Sequence, residues 1–417
     1  MFNQEMVRLG TQRSVIREIF EFGNQRAREV GKDNVYDFSI GNPNVPAPKE
    51  VQEAILDLVT NYSPVEYHSY TSSAGLLSTR TAIADNLNRR FGSAFTPDDV
   101  FLTCGASASL NISLRALISE PGEEILSIAP YFPEYPFFVE GQGGKFIAVE
   151  PDLDTFQIDF VKLEASITPK TKAIIINSPN NPSGVVYSEE TFRTLAKLFE
   201  RKSEEYGHPI FMISDEPYRE LVYGDTPQSI ASTYYRNTII NYSWSKSLSL
   251  PGERIGYILT PAELDGSKEL KAALYGAARI LGFVCAPSLF QKVIERCIDV
   301  DPDLTVYENN RNLIIENLTK FGYEIAKPDG AFYAFIKAPD GNAEEFCERA
   351  KKYNVLLVPG TGFGIPTYMR LSYCVSTQTI ENSLPYFEKL MQEYKMPKPV
   401  SAPVLDLVST EEFDLTK

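Results

Sequence analysis

Six short apolar runs between Val100 and Asn241 constrain this chain more than any other feature. They are Val100–Thr103, Ile125–Ile128, Phe146–Val149, Ala173–Ile176, Ile210–Ile213 and Thr238–Asn241, separated by mostly helical stretches. Strands that alternate with helices build βαβ units and a largely parallel sheet with helices on both faces. The expected fold is therefore α/β, with a large domain whose mostly parallel sheet is flanked by helices. Ligands of such sheets bind outside the carboxyl ends of the strands, so the residues after each run are the ones to read for function.

The flanking sequence adds a smaller unit. After about residue 295 the pattern becomes α+β: a helix near Tyr307–Phe321, strands over Ala331–Ile336 and Val355–Val358, and a last helix carrying Ile380, Leu384, Phe387 and Met391. Pro385 falls inside that last helix and is expected to interrupt it, with Ser383 capping a restart. Upstream, Val15, Ile16, Ile19 and Phe20 suggest one amphipathic helix, and Tyr36–Gly41 a short strand. Pro48 opens a helix with Val51, Ile55, Leu58 and Val59 on its apolar face, and a tyrosine-rich loop follows (Tyr62, Tyr67, Tyr70). The expected division is an N-terminal segment, 1–45, packing with a small domain, 296–395, around a large domain, 46–295. Residues 396–417 read as a flexible tail or a strap across the surface.

Composition narrows the functions. With 417 residues the chain has ample material for a buried core, and its net charge of −15 argues against nucleic acid as a partner. Any anionic ligand must be captured by a local positive site. Two histidines and five scattered cysteines, with no C-x-x-C pair, supply zinc chemistry and Ser-His catalysis poorly, and no metal is expected. The cysteines fit reduced thiols, so a cytoplasmic protein is expected. Met1-Phe2-Asn3-Gln4-Glu5-Met6 lacks a basic stretch followed by an apolar run, and no signal peptide is expected. No apolar segment approaches the length of a membrane span.

The strand ends carry the chemistry. After Thr238–Asn241 comes Ser243-Trp244-Ser245-Lys246, with Gly252 and Arg254 following. Hydroxyls and a guanidinium suit a phosphate, and a desolvated lysine beside a cation suits a reactive amine; a polar surface loop is the competing reading. Cys104-Gly105-Ala106-Ser107 opens a helix, where free N–H groups make an anion site or simply a tight turn. Asp215-Glu216-Pro217-Tyr218 could hold a cationic ring nitrogen and an adjacent phenolate, or merely end a strand. Ser178-Pro179-Asn180-Asn181-Pro182 is a rigid turn able to present an amide. Phe132, in Pro130-Tyr131-Phe132-Pro133, can set a plane against a flat ring or belong to the core. Arg370 starts an apolar strand and needs an anionic partner there, either a substrate carboxylate or a structural salt bridge.

In this order, these pieces resemble the pyridoxal-phosphate-dependent aminotransferases of fold type I, in the class I/II group related to aspartate and aromatic aminotransferases. The resemblance covers about residues 30 to 395 and rests most on Ser-x-Ser-Lys-x5-Gly-x-Arg-x-Gly at Ser243–Gly256, Asn-Ser-Pro-Asn-Asn-Pro-Ser-Gly at Asn177–Gly184, and Asp-Glu-Pro-Tyr at Asp215–Tyr218. It implies amino-group transfer from an L-α-amino acid to a 2-oxo acid by a ping-pong route, with pyridoxal 5'-phosphate held as an internal aldimine on Lys246. A C–S lyase or another α-carbon lyase on the same fold is the alternative it leaves.

The resemblance also implies roles. Asp215 pairs with the pyridinium nitrogen, while Tyr218 and Asn181 bond the ring's phenolic oxygen. Gly105, Ala106, Ser107, Ser243, Ser245 and Arg254 hold the phosphate, joined by Tyr70 of the partner subunit in a homodimer with shared sites. Phe132 stacks on the ring. Arg370 takes the substrate carboxylate, with Gly41 and Asn181 beside it. Three positions depart from the pattern. Glu253 stands where a bulky apolar residue is usual, Ser183 replaces threonine, and Ser107 stands where some aspartate-using relatives carry lysine.

Overall fold

The computed structural model describes residues 2–11 and 15–395, so the expected tail, 396–417, lies outside the described residues. Seven strands form one sheet in the order Val100–Thr103, Gly256–Leu259, Thr238–Ser243, Phe211–Asp215, Thr171–Asn177, Glu124–Ile128, Lys145–Val149. From Thr238–Ser243 to Lys145–Val149 the neighbours pair in parallel. Gly256–Leu259 alone runs against the rest, antiparallel to both of its neighbours. Each of the six apolar runs falls on one of these strands, with Ile210 one residue ahead of its strand, and the α/β expectation holds.

The sheet is mostly parallel because its strands can bury both faces. Along Thr171–Asn177, Ala173 and Ile175 pack with the layer of helices Ala106–Leu117 and Ser267–Leu281, while Ile174 and Ile176 pack with Glu189–Tyr206. That last helix starts where Ser188 Oγ accepts the Thr191 N–H at 3.1 Å and stops at Gly207, whose φ of 72° suits a residue without Cβ. Gly256–Leu259 was not anticipated. It returns from the Lys246 loop, and Gly256 begins it because a Cβ there would lie 2.3 Å from the Tyr242 carbonyl oxygen. The helix Ser288–Cys297 was likewise unanticipated, and it packs on Lys49–Asn61 and Leu77–Phe91.

A second, antiparallel sheet has the order Val358–Pro359, Tyr368–Ser372, Tyr333–Lys337, Ile325–Ala326. The expected strand Val355–Val358 is divided between two sheets. Val355–Leu356 pairs in parallel with Tyr36–Asp37, which ties the N-terminal segment to the C-terminal part. The N-terminal region holds two helices, Gln4–Thr11 and Val15–Val30, and the tyrosine-rich loop contains a short helix, Pro64–His68. Pro385 does not break the last helix, which runs from Thr377 to Lys395. A proline costs such a helix about 3 kcal/mol. Burial of Ile380, Phe387, Leu390 and Met391 in the core shared with Thr305–Phe321 outweighs it.

Candidate active site

Five parallel strands end on one cavity of about 330 Å³. Val100–Thr103 leads to Ala106 and Ser107, Glu124–Ile128 to Phe132, and Thr171–Asn177 to Asn177 and Asn181. Phe211–Asp215 contributes Asp215 and Tyr218, and Thr238–Ser243 contributes Ser243, Ser245 and Lys246. Arg254, Gly41 and Arg370 complete the polar wall. Residues more than 300 positions apart thus meet because the sheet aligns its strand ends and the second sheet closes over them.

Lys246 brings a buried amine to the cavity wall. Its Nζ donates to the Gly41 carbonyl at 2.6 Å. Burial lowers its pKa to about 8; Arg370 and Arg254 push the same way, and Cys374 opposes them. The shift moves this amine toward its neutral, nucleophilic form relative to an exposed lysine.

Asp215 shows the opposite shift. Burial raises its pKa to about 7, with the Tyr135 hydroxyl pulling it down and Glu216 pushing it up. Tyr135 donates to Oδ2 at 2.6 Å, while the buried Oδ1 has no hydrogen-bond partner. A buried carboxylate left in this state is stabilised by a cation or an N–H donor, and an acceptor ligand would not serve.

Arg370 occupies the central strand Tyr368–Ser372 and is buried. Its Nη1 donates to Asn181 Oδ1 at 3.0 Å and its Nη2 to the Ser39 carbonyl, while Nε has no partner. The guanidinium lies over the rings of Tyr333 and Phe363, 4.8 and 5.1 Å from their centroids. No carboxylate among the described residues pairs with it, which removes the structural salt bridge as an explanation. Burial lowers its pKa, and the Tyr333 and Tyr218 hydroxyls oppose the shift.

The remaining wall suits a phosphate. Gly105 has φ +85° at the start of helix Ala106–Leu117, and a Cβ there would come within 2.7 Å of Arg254 Nη2. Glycine thus permits both the turn and the approach of the guanidinium to the helix N-terminus. Arg254 itself is exposed and donates to the Pro251 carbonyl at 2.8 Å. Glu253 ends the 3-10 turn Pro251–Glu253 and does not line the cavity.

Two expected residues stand apart from the cavity wall. Gly105 lies behind it, against Arg254. Tyr70 is 95% exposed and does not line the cavity of its own chain. Sequence reading also missed several residues. Tyr135 holds Asp215, Tyr333 bonds the Tyr218 hydroxyl at 2.9 Å, and Asn177 donates to the Asp215 carbonyl at 2.8 Å. Ile16 and Ile40 bring apolar side chains to the wall. Asn177 and Tyr135 lie within three or four residues of Asn181 and Phe132, the one signal that could have drawn attention to them.

Residues 33–386 match the family described as aminotransferase class I and II. The chain belongs to that family. An aspartate aminotransferase of Thermotoga maritima is 31% identical over 366 residues, covering 86% of this chain and 92% of that one. The crystal structure of an aminotransferase from Eubacterium rectale superposes with a TM-score of 0.93 at 52% identity, covering 95% of this chain and all of that one. Thermus thermophilus aspartate aminotransferase with maleate gives 0.80 at 25% identity, over 94% and 99% of the two chains. The protein is thus an enzyme of the transaminase class. Among the described residues no helix is long and apolar enough to cross a membrane.

Proposed function

We propose that this enzyme moves the amino group of an L-α-amino acid to a 2-oxo acid in a ping-pong cycle, using pyridoxal 5'-phosphate bound in the cavity. One observation carries the reading. A single cavity joins a lysine of lowered pKa to two buried ionic groups with unsatisfied atoms, Asp215 Oδ1 and Arg370 Nε. Relatives named as aspartate aminotransferases support amino acids and oxo acids as the substrates.

The residues fit the cofactor. Asp215 Oδ1 lacks the N–H donor that a pyridinium nitrogen would supply. Tyr218 and Asn181 would hold the ring's phenolic oxygen and Phe132 its face. The N–H groups of Gly105, Ala106 and Ser107, with Ser243, Ser245, Arg254 and Tyr70 of the partner subunit, would hold the phosphate. When bound, the group supplies an electrophilic carbonyl for amines and an electron sink for the substrate α-carbon.

The chain's own groups then divide the labour. Arg370 grips the α-carboxylate through a charge-assisted pair, with Gly41 and Asn181 beside it. Lys246 Nζ takes the proton from the substrate α-carbon, and its lowered pKa fits a base working near neutrality. Tyr135 fixes the Asp215 carboxylate, which would pair with the ring nitrogen and favour its protonated form. In this reading two copies of the chain share their sites through Tyr70, and the free cysteines fit a cytoplasmic setting.

The test is spectroscopic. Adding an amino-acid donor to the cofactor-loaded protein should shift its visible absorbance and release one oxo acid per site. Release of pyruvate and ammonia from cysteine, with no transfer to an oxo acid, would replace transfer with lyase chemistry.

A further inference from the structure

On the amino-transfer reading above, we infer that Tyr333 is a positioning residue of the reaction, acting on the cofactor's ring oxygen through the Tyr218 hydroxyl. Tyr333 opens the strand Tyr333–Lys337 of the second sheet and pairs with Ser372, two residues beyond Arg370. Residues two apart on a strand share a face, so Tyr333 and Arg370 are diagonal neighbours on one side of that sheet. Their contact follows: the guanidinium carbon lies 4.8 Å from the centre of the Tyr333 ring. Tyr333 lines the same cavity as Tyr218 and Lys246.

Two contacts fix the Tyr333 hydroxyl. It is hydrogen-bonded to the Tyr218 hydroxyl at 2.9 Å, in a buried setting where the two rings meet edge to face. Against it lies Gly41, where a Cβ would stand 2.0 Å from the Tyr333 oxygen. This phenol therefore requires glycine at position 41. The carbonyl of the same glycine accepts the Lys246 Nζ–H. The direction of the bond between the two tyrosines comes from counting protons. A phenol has one hydrogen to donate, so once Tyr218 gives its own to the ring oxygen it can only accept from Tyr333. The acidities agree with that direction. Burial pushes the Tyr333 phenol up to about 12 against the Arg370 charge, whereas burial and Tyr333 itself hold Tyr218 well above its usual value. The stronger acid of the pair is the better donor. A hydroxyl that accepts one hydrogen bond donates its own more strongly, so Tyr333 strengthens what Tyr218 gives to the ring.

The experiment removes only the hydroxyl. Tyr333→Phe keeps the ring beside Arg370, and its effect is read on the pH titration of the visible band of the cofactor-loaded protein. A hydrogen bond donated to the ring oxygen stabilises its anionic form, so weakening that bond should raise the midpoint, by about half a pH unit. In the Tyr218→Phe background the same change should move the midpoint by less than about 0.1 unit, because Tyr333 acts through Tyr218. Gly41→Ala reaches the hydroxyl by a second route, since its methyl must push the phenol away from Tyr218. It should also raise the midpoint, and it decides the matter if Tyr333→Phe fails to take up the cofactor. A midpoint that stays or falls, or an equal shift with and without the Tyr218 hydroxyl, overturns the inference and leaves amino transfer standing. If no amino acid alters the visible band of the loaded protein, amino transfer itself falls, and the inference with it.

Discussion

Two arginines are buried to the same degree, Arg219 at 3% exposure and Arg370 at 2%, yet the molecule treats them in opposite ways. Arg219 Nε donates to Glu216 at 2.7 Å and Nη1 to the Tyr257 hydroxyl at 3.0 Å, and the guanidinium lies 4.5 Å from the centre of the Tyr242 ring. Burial pushes its pKa down, but Tyr257, Glu216 and Glu220 outweigh that and hold it well above the usual value. Arg370 has an amide, a carbonyl and two rings but no carboxylate, and its pKa falls. A buried ion with its counter-ion built in is part of the scaffold. One without a counter-ion marks a place where a ligand completes the structure.

That contrast predicts a separation between activity and stability. The largest effect should come from Lys246→Ala, which removes the amine that works beside Arg370. Turnover should fall by about 10⁴-fold with the melting temperature retained. Retained turnover in this variant sinks the lysine assignment.

Next is Arg219→Met, which strands Glu216 and Glu220 in buried surroundings. We expect unfolding in urea to be easier by about 3–5 kcal/mol. A loss under about 1 kcal/mol would erase the distinction between the two arginines.

Asp215→Asn tests the same idea with an anion. The folded pKa of Asp215, about 7, lies above the ordinary carboxylate value, so the folded state holds a proton that the unfolded state releases first. Stability of the cofactor-free protein must therefore fall as pH rises from about 4 to 7, with the full penalty present above that range. At about pH 8 the Asn variant should be more stable by on the order of 4 kcal/mol, and the difference should vanish near about pH 4. An Asn variant less stable than the parent at the higher pH would contradict the account.

The smallest effect is expected from Arg370→Gln. Its kcat/KM should drop about 100-fold, or about 2.7 kcal/mol, mainly through KM. Its melting temperature should be unchanged or higher, because an unpaired buried cation has gone. A collapse in stability would place Arg370 with Arg219 in the scaffold.

Sequence made the parallel strands and the loops after them legible, because runs such as Ala173–Ile176 are apolar without interruption and the residues that follow them are chemically unusual. It concealed what depends on meetings across the chain. Tyr135 reaches Asp215 over 80 positions and Tyr333 reaches Tyr218 over 115, and each reads locally as a core aromatic. Gly256–Leu259 escaped notice because a four-residue strand opening on glycine has almost no periodicity to detect. Pro385 misled for the opposite reason. A strong local rule was overruled by packing that no local rule sees.

The parallel strands beneath the cavity have few exposed interior positions, whereas Ile16 belongs to the N-terminal helix Val15–Val30, outside both larger sheets. The two parts of the wall therefore differ in what a substitution costs. A change at a strand end such as Asp215 or Asn181 falls on buried positions, while a change at half-buried Ile16 reshapes the cavity wall from a peripheral helix at little expense to folding.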